Sequence, residues 1–129
     1  MVAAKTVLRL SALVALVALA PAVVRAAEPT ALRVVIVQVT DMDAYVKEID
    51  KARAMLKRLE IPAQVRVWKA RFAGQDTGSV VVALEFPNLT ELAKGEAKMA
   101  ADADYMTWLK GLDKVRTVVS DSIYYELKP

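Results

Sequence analysis

Residues 32–39 read Leu-Arg-Val-Val-Ile-Val-Gln-Val, and this run constrains the fold more than any other stretch of the chain. β-Branched side chains crowd a helix and suit a pleated strand. Successive side chains of a strand point to opposite faces. Val34 and Ile36 therefore lie on one side and Val35, Val37 and Val39 on the other. Such a strand has no polar face to leave in water, so both of its faces call for cover. The stretch Ser79 to Phe86 behaves alike, with Val80, Val82, Leu84 and Phe86 opposed to Val81 and Ala83.

Between and around these strands the pattern is regular. Thr40-Asp41-Met42-Asp43 is a helix start: a Thr or Asp oxygen accepts the orphan N–H groups, and Asp43 sits at the positive end of the dipole. Tyr45, Ile49, Ala52, Leu56 and Leu59 step by four, three, four and three, which draws one apolar stripe to about Glu60, before Pro62. Lys47, Lys51, Arg53, Lys57 and Arg58, with Glu48 and Asp50, form the solvated face. A second strand is expected over Gln64–Phe72 and a third over Ser79–Phe86, joined by the glycine-bounded loop Gly74–Gly78. That loop lacks the Gly-Lys-Ser/Thr ending of a phosphate cradle. Asn88 and Glu91, at capping-box spacing, open a second helical region. Within it Gly95 marks close packing or a bend, and a kink is expected near Asp104. The last strand runs from Arg116 to Leu127, with Val119, Ile123, Tyr125 and Leu127 alternating against Val118, Ser120, Ser122 and Tyr124.

The order β-α-β-β-α-β defines an α+β, ferredoxin-like domain: a four-stranded antiparallel sheet with two helices on one face. Two helices cover one face only. The valines on the other would expose roughly several hundred Å² of contiguous apolar surface, more than soluble monomers usually tolerate. The physical expectation is a homodimer paired through the sheet, closing a barrel of two subunits.

The first 26 residues read as a cleaved export signal. Lys5 and Arg9 form the basic end, Leu10 to Ala20 is apolar apart from Ser11, and Val24-Arg25-Ala26 offers a cleavage point between Ala26 and Ala27. The 15 residues from Leu10 to Val24, with Pro21 among them, fall short of the ~20 that cross a bilayer, so membrane contact is expected to be transient. Residues 27–30 then make a short tail and 31–129 a single domain in a periplasmic or secreted protein. The signal carries three of the 18 basic residues and no acid, which leaves 15 against 15 in the remainder. Without clustered Lys and Arg there is no electrostatic footprint for nucleic acid. The chain contains neither His nor Cys. That removes His-ligated metals, thiol catalysis and Ser-His-Asp triads, and no metal or cofactor is expected.

Asp43-Ala44-Tyr45, Val67-Trp68-Lys69-Ala70, Glu85-Phe86-Pro87-Asn88-Leu89, and Met99-Ala100-Ala101-Asp102 followed by Trp108 resemble the dimeric α+β-barrel superfamily over nearly all of 31–127. Its members include NIPSNAP-like, EthD-like and antibiotic-biosynthesis-monooxygenase-like proteins. The resemblance implies ferredoxin-like subunits paired through their sheets; function varies among members. The haem-degrading branch, which uses a His iron ligand, resembles this chain least.

Arg66, Trp68, Ala70 and Phe72 share one face of the second strand, Lys69 and Arg71 the other. A Trp among basic groups, near Glu85, Gln38, Tyr124 and Tyr125, suits a small cavity in which Arg orients a carboxylate or phenolate and the indole stacks on a ring. Arg66, Trp68, Arg71, Glu85 and Tyr124 are accordingly the ligand-binding candidates. The competing arrangement puts Trp68 in a core or interface, with Arg66 and Arg71 paired across strands to Glu85 or Asp121. Tyr45, Tyr105 and Trp108 lie on helical stripes and read as core. The acid pairs Asp41/Asp43 and Asp102/Asp104 read as helix caps rather than a calcium loop. Ser120 and Ser122 have no His to activate them.

Two functions follow. One is an exported homodimer that binds a small molecule or a protein partner. The other is a cofactor-independent monooxygenase or isomerase acting on a small aromatic or anionic substrate, which needs an enclosed, partly polar cavity.

Overall fold

The computed structural model describes residues 28–127. The export signal and its cleavage point at Ala26 and Ala27 lie outside the described residues. The elements are β1 (Ala31–Val39), α1 (Met42–Arg58), β2 (Gln64–Lys69), β3 (Val80–Phe86), α2 (Leu89–Ala101), α3 (Ala103–Leu112) and β4 (Arg116–Tyr125), with a single 3₁₀ turn at Gly74–Asp76. The sheet order is β2-β3-β1-β4 and every pairing is antiparallel. This is the expected ferredoxin-like α+β topology, with the two strands that are apolar on both faces at its centre.

Helix α1 starts where its sequence directs. Asp41 accepts a hydrogen bond from Ala44 N at 3.0 Å, Asp43 sits in the first turn, and Lys57 and Arg58 close the last. Tyr45, Ile49, Ala52 and Leu56 are buried. The helix ends in a Schellman turn: Glu60 is left-handed (φ 54°), Glu60 N donates to Lys57 O at 3.1 Å, and Ile61 N donates to Leu56 O at 3.0 Å. Leu56 and Ile61 then pack in the same buried cluster, the apolar contact that accompanies this motif.

Three local features differ from the sequence expectation. The break in the second helical region falls at Asp102, two residues before Asp104. The Asp102 backbone is extended (φ −91°, ψ 115°), and its carboxylate accepts from Tyr105 N at 2.9 Å, which starts α3 afresh. Strand β2 stops at Lys69 rather than Phe72. Ala70 N donates to Ser79 O (2.8 Å) and Gly78 N donates to Ala70 O (3.0 Å), closing the hairpin there. Phe72, at φ 52° and 98% exposed, has left the sheet. Finally, the β1–β4 register shifts between Ile36 and Val37: Ile36 faces Ser120 and Val37 faces Val118. Val119 is the extra residue of a bulge. Val118 and Arg116 therefore share a face with Asp121, Ile123 and Tyr125, against simple alternation.

Gly95 is a close-packing glycine, as one of the two expected readings held. A Cβ built on it would stand 2.8 Å from Phe86 Cε1 and 3.0 Å from Ile61 Cγ2. Helix α2 lies on β3 only because that side chain is missing.

The helices cover the face bearing Val35, Val37, Val80, Val82 and Phe86, all buried. The other face carries three cross-strand rungs, read off the register. They are Gln64–Glu85–Leu32–Tyr124, Arg66–Ala83–Val34–Ser122 and Trp68–Val81–Ile36–Ser120. No element among the described residues covers them. Leu32, Val34, Ile36 and Val81 are half-buried by their neighbours, whereas Trp68 (49%) and Tyr124 (55%) are exposed at the two margins.

Candidate ligand cavity

Between the helical layer and the sheet lies a partly enclosed cavity of about 260 Å³. Every strand and all three α-helices contribute to its wall. The sheet supplies Val35, Val65, Val82 and Leu84; α1 supplies Ile49, Ala52 and Leu56; and α2 and α3 supply Met99, Trp108, Leu109 and Leu112. Protein interiors are packed as densely as organic crystals, and voids larger than a water are few. Dry emptiness on this scale forgoes several kcal/mol of packing, at about 24 cal/mol per Å³.

One part of the wall is polar. Arg33, Glu96, Asp121, Arg116 and Tyr105 all line it. Arg33 Nε donates to Asp121 Oδ1 at 3.0 Å and Nη2 to Oδ2 at 2.7 Å, a bidentate fork, while Nη1 donates to Glu96 Oε1 at 2.7 Å. The clasp ties β1 to β4 and to α2. The Arg33 hydrogen bond holds the Asp121 carboxyl below its usual range, with further help from Arg116, and the Arg33 guanidinium is raised in turn. Burial pushes the Tyr105 phenol up, against the pull of Arg33 and Arg116, so it is a neutral hydroxyl at physiological pH. Arg116 Nε is buried and has no hydrogen-bond partner.

The aromatic part of the wall is fixed from behind. Trp108 Nε1 donates to Glu48 Oε2 at 2.9 Å, and the Tyr105 and Trp108 rings lie 5.3 Å apart with a 52° tilt. Hydrogen bonds from Lys51 and Trp108 hold the Glu48 carboxyl below its ordinary value. Asp102, which caps α3 at Tyr105, is gripped by Arg58 at 2.6 and 3.1 Å. Both aromatic side chains are thus set by contacts outside the cavity.

The five residues singled out from the sequence sit elsewhere. Arg66 and Trp68 share the uncovered sheet face with Glu85 and Tyr124, and Arg66 Nη2 lies 3.7 Å from Glu85 Oε2. They do not close a cavity. β2 and β4 are opposite edges of the sheet, so Trp68 and Tyr124 are separated by three strand spacings across it, ~14 Å, and by a further four residues along it. Glu85 borders only a shallow, open depression of about 370 Å³ with Gln64, Pro62 and Pro87. Arg71 lies exposed in the loop beyond β2 and meets none of the other four. Asp121 pairs with Arg33, not with Arg66 or Arg71. Tyr45 is core as expected; Tyr105 and Trp108 are partly buried and pack against the core clusters, and they also line the cavity. Arg33 was legible by parity: it shares its face with Val35 and Val37, an odd place for a guanidinium.

Among the described residues no cluster of three or more acidic side chains is placed to hold a metal, and no helix is long and apolar enough to cross a membrane.

The strand order and helix placement define the ferredoxin-like α+β class. No protein-family model matches the chain, and no curated protein matches it. Solved structures do share its fold. A NIPSNAP-family protein from Agrobacterium tumefaciens is 13% identical at a TM-score of 0.58, with 81% of this chain and 90% of that one covered. SnoaB, a cofactor-independent oxygenase from Streptomyces nogalater, is 15% identical at a TM-score of 0.54, covering 78% and 96%. A NIPSNAP-like domain protein from Burkholderia xenovorans is 11% identical at a TM-score of 0.54, covering 78% and 85%. These are the kinds of protein the sequence resembles, and what they share with it is the fold.

Proposed function

We propose that this is an exported homodimer whose subunits each bind a small, largely apolar molecule between helices and sheet. The observation that carries the reading is the 260 Å³ cavity, with its apolar wall, fixed Tyr105–Trp108 pair and polar end at Arg33, Asp121 and Arg116. A few polar groups converging in an otherwise apolar concavity are the usual signature of a small-molecule site. Homodimerisation rests on the uncovered face, where Val34, Ile36, Val81 and Ala83 form an apolar strip that a second copy would cover. In that arrangement Arg66, Trp68, Glu85 and Tyr124 rim the interface. Export, to the periplasm or medium, rests on the basic-then-apolar pattern of residues 1–26.

The direct experiment is a thermal-shift and calorimetric screen with small aromatic molecules against wild type and Ala52→Leu. Ala52 is buried and lines the cavity, so the larger side chain fills it. Wild type should be stabilised by at least one probe. Ala52→Leu should fold with equal or higher melting temperature and lose that response. Undiminished binding to a folded Ala52→Leu would contradict the reading.

Cofactor-independent oxygenation is the second reading, supported by the fold shared with SnoaB and by the half-buried neutral phenol of Tyr105 at the cavity's polar end. Oxygen consumption with a bound, oxidisable phenol distinguishes it from binding alone.

A further inference from the structure

The cavity holds two arginines in very different states. All three nitrogens of the Arg33 guanidinium donate to carboxylate: Nε and Nη2 to Asp121, Nη1 to Glu96. Arg33 has little left to offer a ligand. Arg116 is the opposite case. It opens β4 across from Val39, the Val119 bulge turns it to the helix-covered face, and its Nε–H is buried without an acceptor. Buried N–H groups without partners are rare, and each is a place to look for an acceptor that arrives from outside.

Charge narrows what that acceptor is. The charged residues lining the cavity are Arg33 and Arg116 against Glu96 and Asp121, which balance. A carboxylate or phosphate entering this space would leave it with a net negative charge beside Glu96 and Asp121, and would lose its hydration against an apolar wall. A neutral oxygen meets no such cost and still satisfies the N–H.

Resting on the cavity reading above, we propose that the ligand is a neutral, mainly apolar molecule. One carbonyl-type oxygen accepts a hydrogen bond from Arg116 Nε, and Arg116 is the residue that positions it. The body of the ligand lies against Leu84 and the Tyr105–Trp108 pair. The anionic class of ligand expected from the arginines beside Trp68 is thereby disfavoured, since a bound anion would leave the cavity with a net negative charge.

Two probes of nearly the same shape separate these cases: 2-acetylnaphthalene, which is neutral, and 2-naphthoate, which is charged. The readout is the indole N–H resonance of Trp108 in the full protein, assigned with Trp68→Phe. The ketone should shift that resonance saturably, and 2-naphthoate should bind at least tenfold more weakly. Arg116→Met should weaken the ketone at least tenfold while leaving 2-naphthoate little changed. Equal or tighter binding of 2-naphthoate to wild type overturns the neutral-ligand claim. Unchanged ketone binding by Arg116→Met overturns the role of Arg116 and leaves the cavity reading standing. If neither probe moves Trp108, the cavity reading falls and this inference with it. Should Arg116→Met fail to fold, the comparison of the two probes on wild type still decides.

Discussion

The two faces of the sheet are built from the same residues and end in different circumstances. On β1, Val35 and Val37 lie under helices and are buried, whereas Val34 and Ile36, one position away, have no covering element among the described residues. The covered face is not filled: α1, α2 and α3 stand off around a cavity lined by two arginines and two carboxylates. The uncovered face presents a valine-type strip with Trp68 and Tyr124 at its margins. A sheet that is apolar on both sides can thus divide its work. In the proposed reading one face encloses a small molecule, and the other is left for a second copy of the chain.

Charge placed one residue apart on β1 should separate the two faces most sharply. Val35→Glu puts an unpaired carboxylate in the covered core, at a cost of several kcal/mol against a total stability of about 5–15, and the protein should fail to fold by circular dichroism. Val34→Glu should fold with near-normal melting and run as a single subunit, because beyond its neighbours on the sheet its half-buried side chain meets only the proposed partner. If both variants unfold alike, the two faces are not distinct.

A smaller loss tests how the helical layer is seated. Gly95→Ala drives a methyl into Phe86 and Ile61, and denaturant unfolding should show a loss of about 1–3 kcal/mol despite alanine's better helix propensity. A gain would mean that α2 lies less close to β3 than described.

The Arg33 clasp carries a pH signature. Asp121 is held below its ordinary value, so its ion pair stabilises the native state above the unfolded value of about 3.9 and loses that contribution as pH falls through the native value. The side chain is 40% exposed, so solvent screening limits the effect to about 1 kcal/mol or less. Wild type should therefore melt above Asp121→Asn at pH 7, and the gap should close in acid. A gap that persists at pH 2 would place its origin elsewhere.

The smallest effect expected is a gain. Glu60 occupies the left-handed position that ends α1, and Glu60→Gly should stabilise the fold by up to about 1 kcal/mol in the same unfolding assay. It touches neither face of the sheet, so a change in oligomeric state or ligand response would break the separation drawn above.

How much of this was legible depended on whether a feature was local. The strand pattern of 32–39, the Asp41 and Asn88 caps and the α1 stripe are set by nearby residues, and each stands where the sequence puts it. The crowding at Gly95 was anticipated in kind, though its partners, Phe86 and Ile61, come from distant elements. The cavity was not legible. Arg33 could be assigned to the valine face by counting, but its partners Asp121 and Glu96 lie 88 and 63 residues away. Arg116 was hidden for a sharper reason: without the bulge at Val119, alternation puts it on the wrong face. Trp68 and the arginines near it drew attention because they adjoin in sequence. The sheet order then placed Tyr124 at the far edge, and the hairpin closure at Ala70 left Arg71 outside the sheet.

Light scattering on the purified protein at micromolar concentration, beside folded Val34→Glu, bears most directly on the division of the two faces. The account predicts the mass of two chains for wild type and of one chain for the variant. A wild-type protein that scatters as one chain would contradict it.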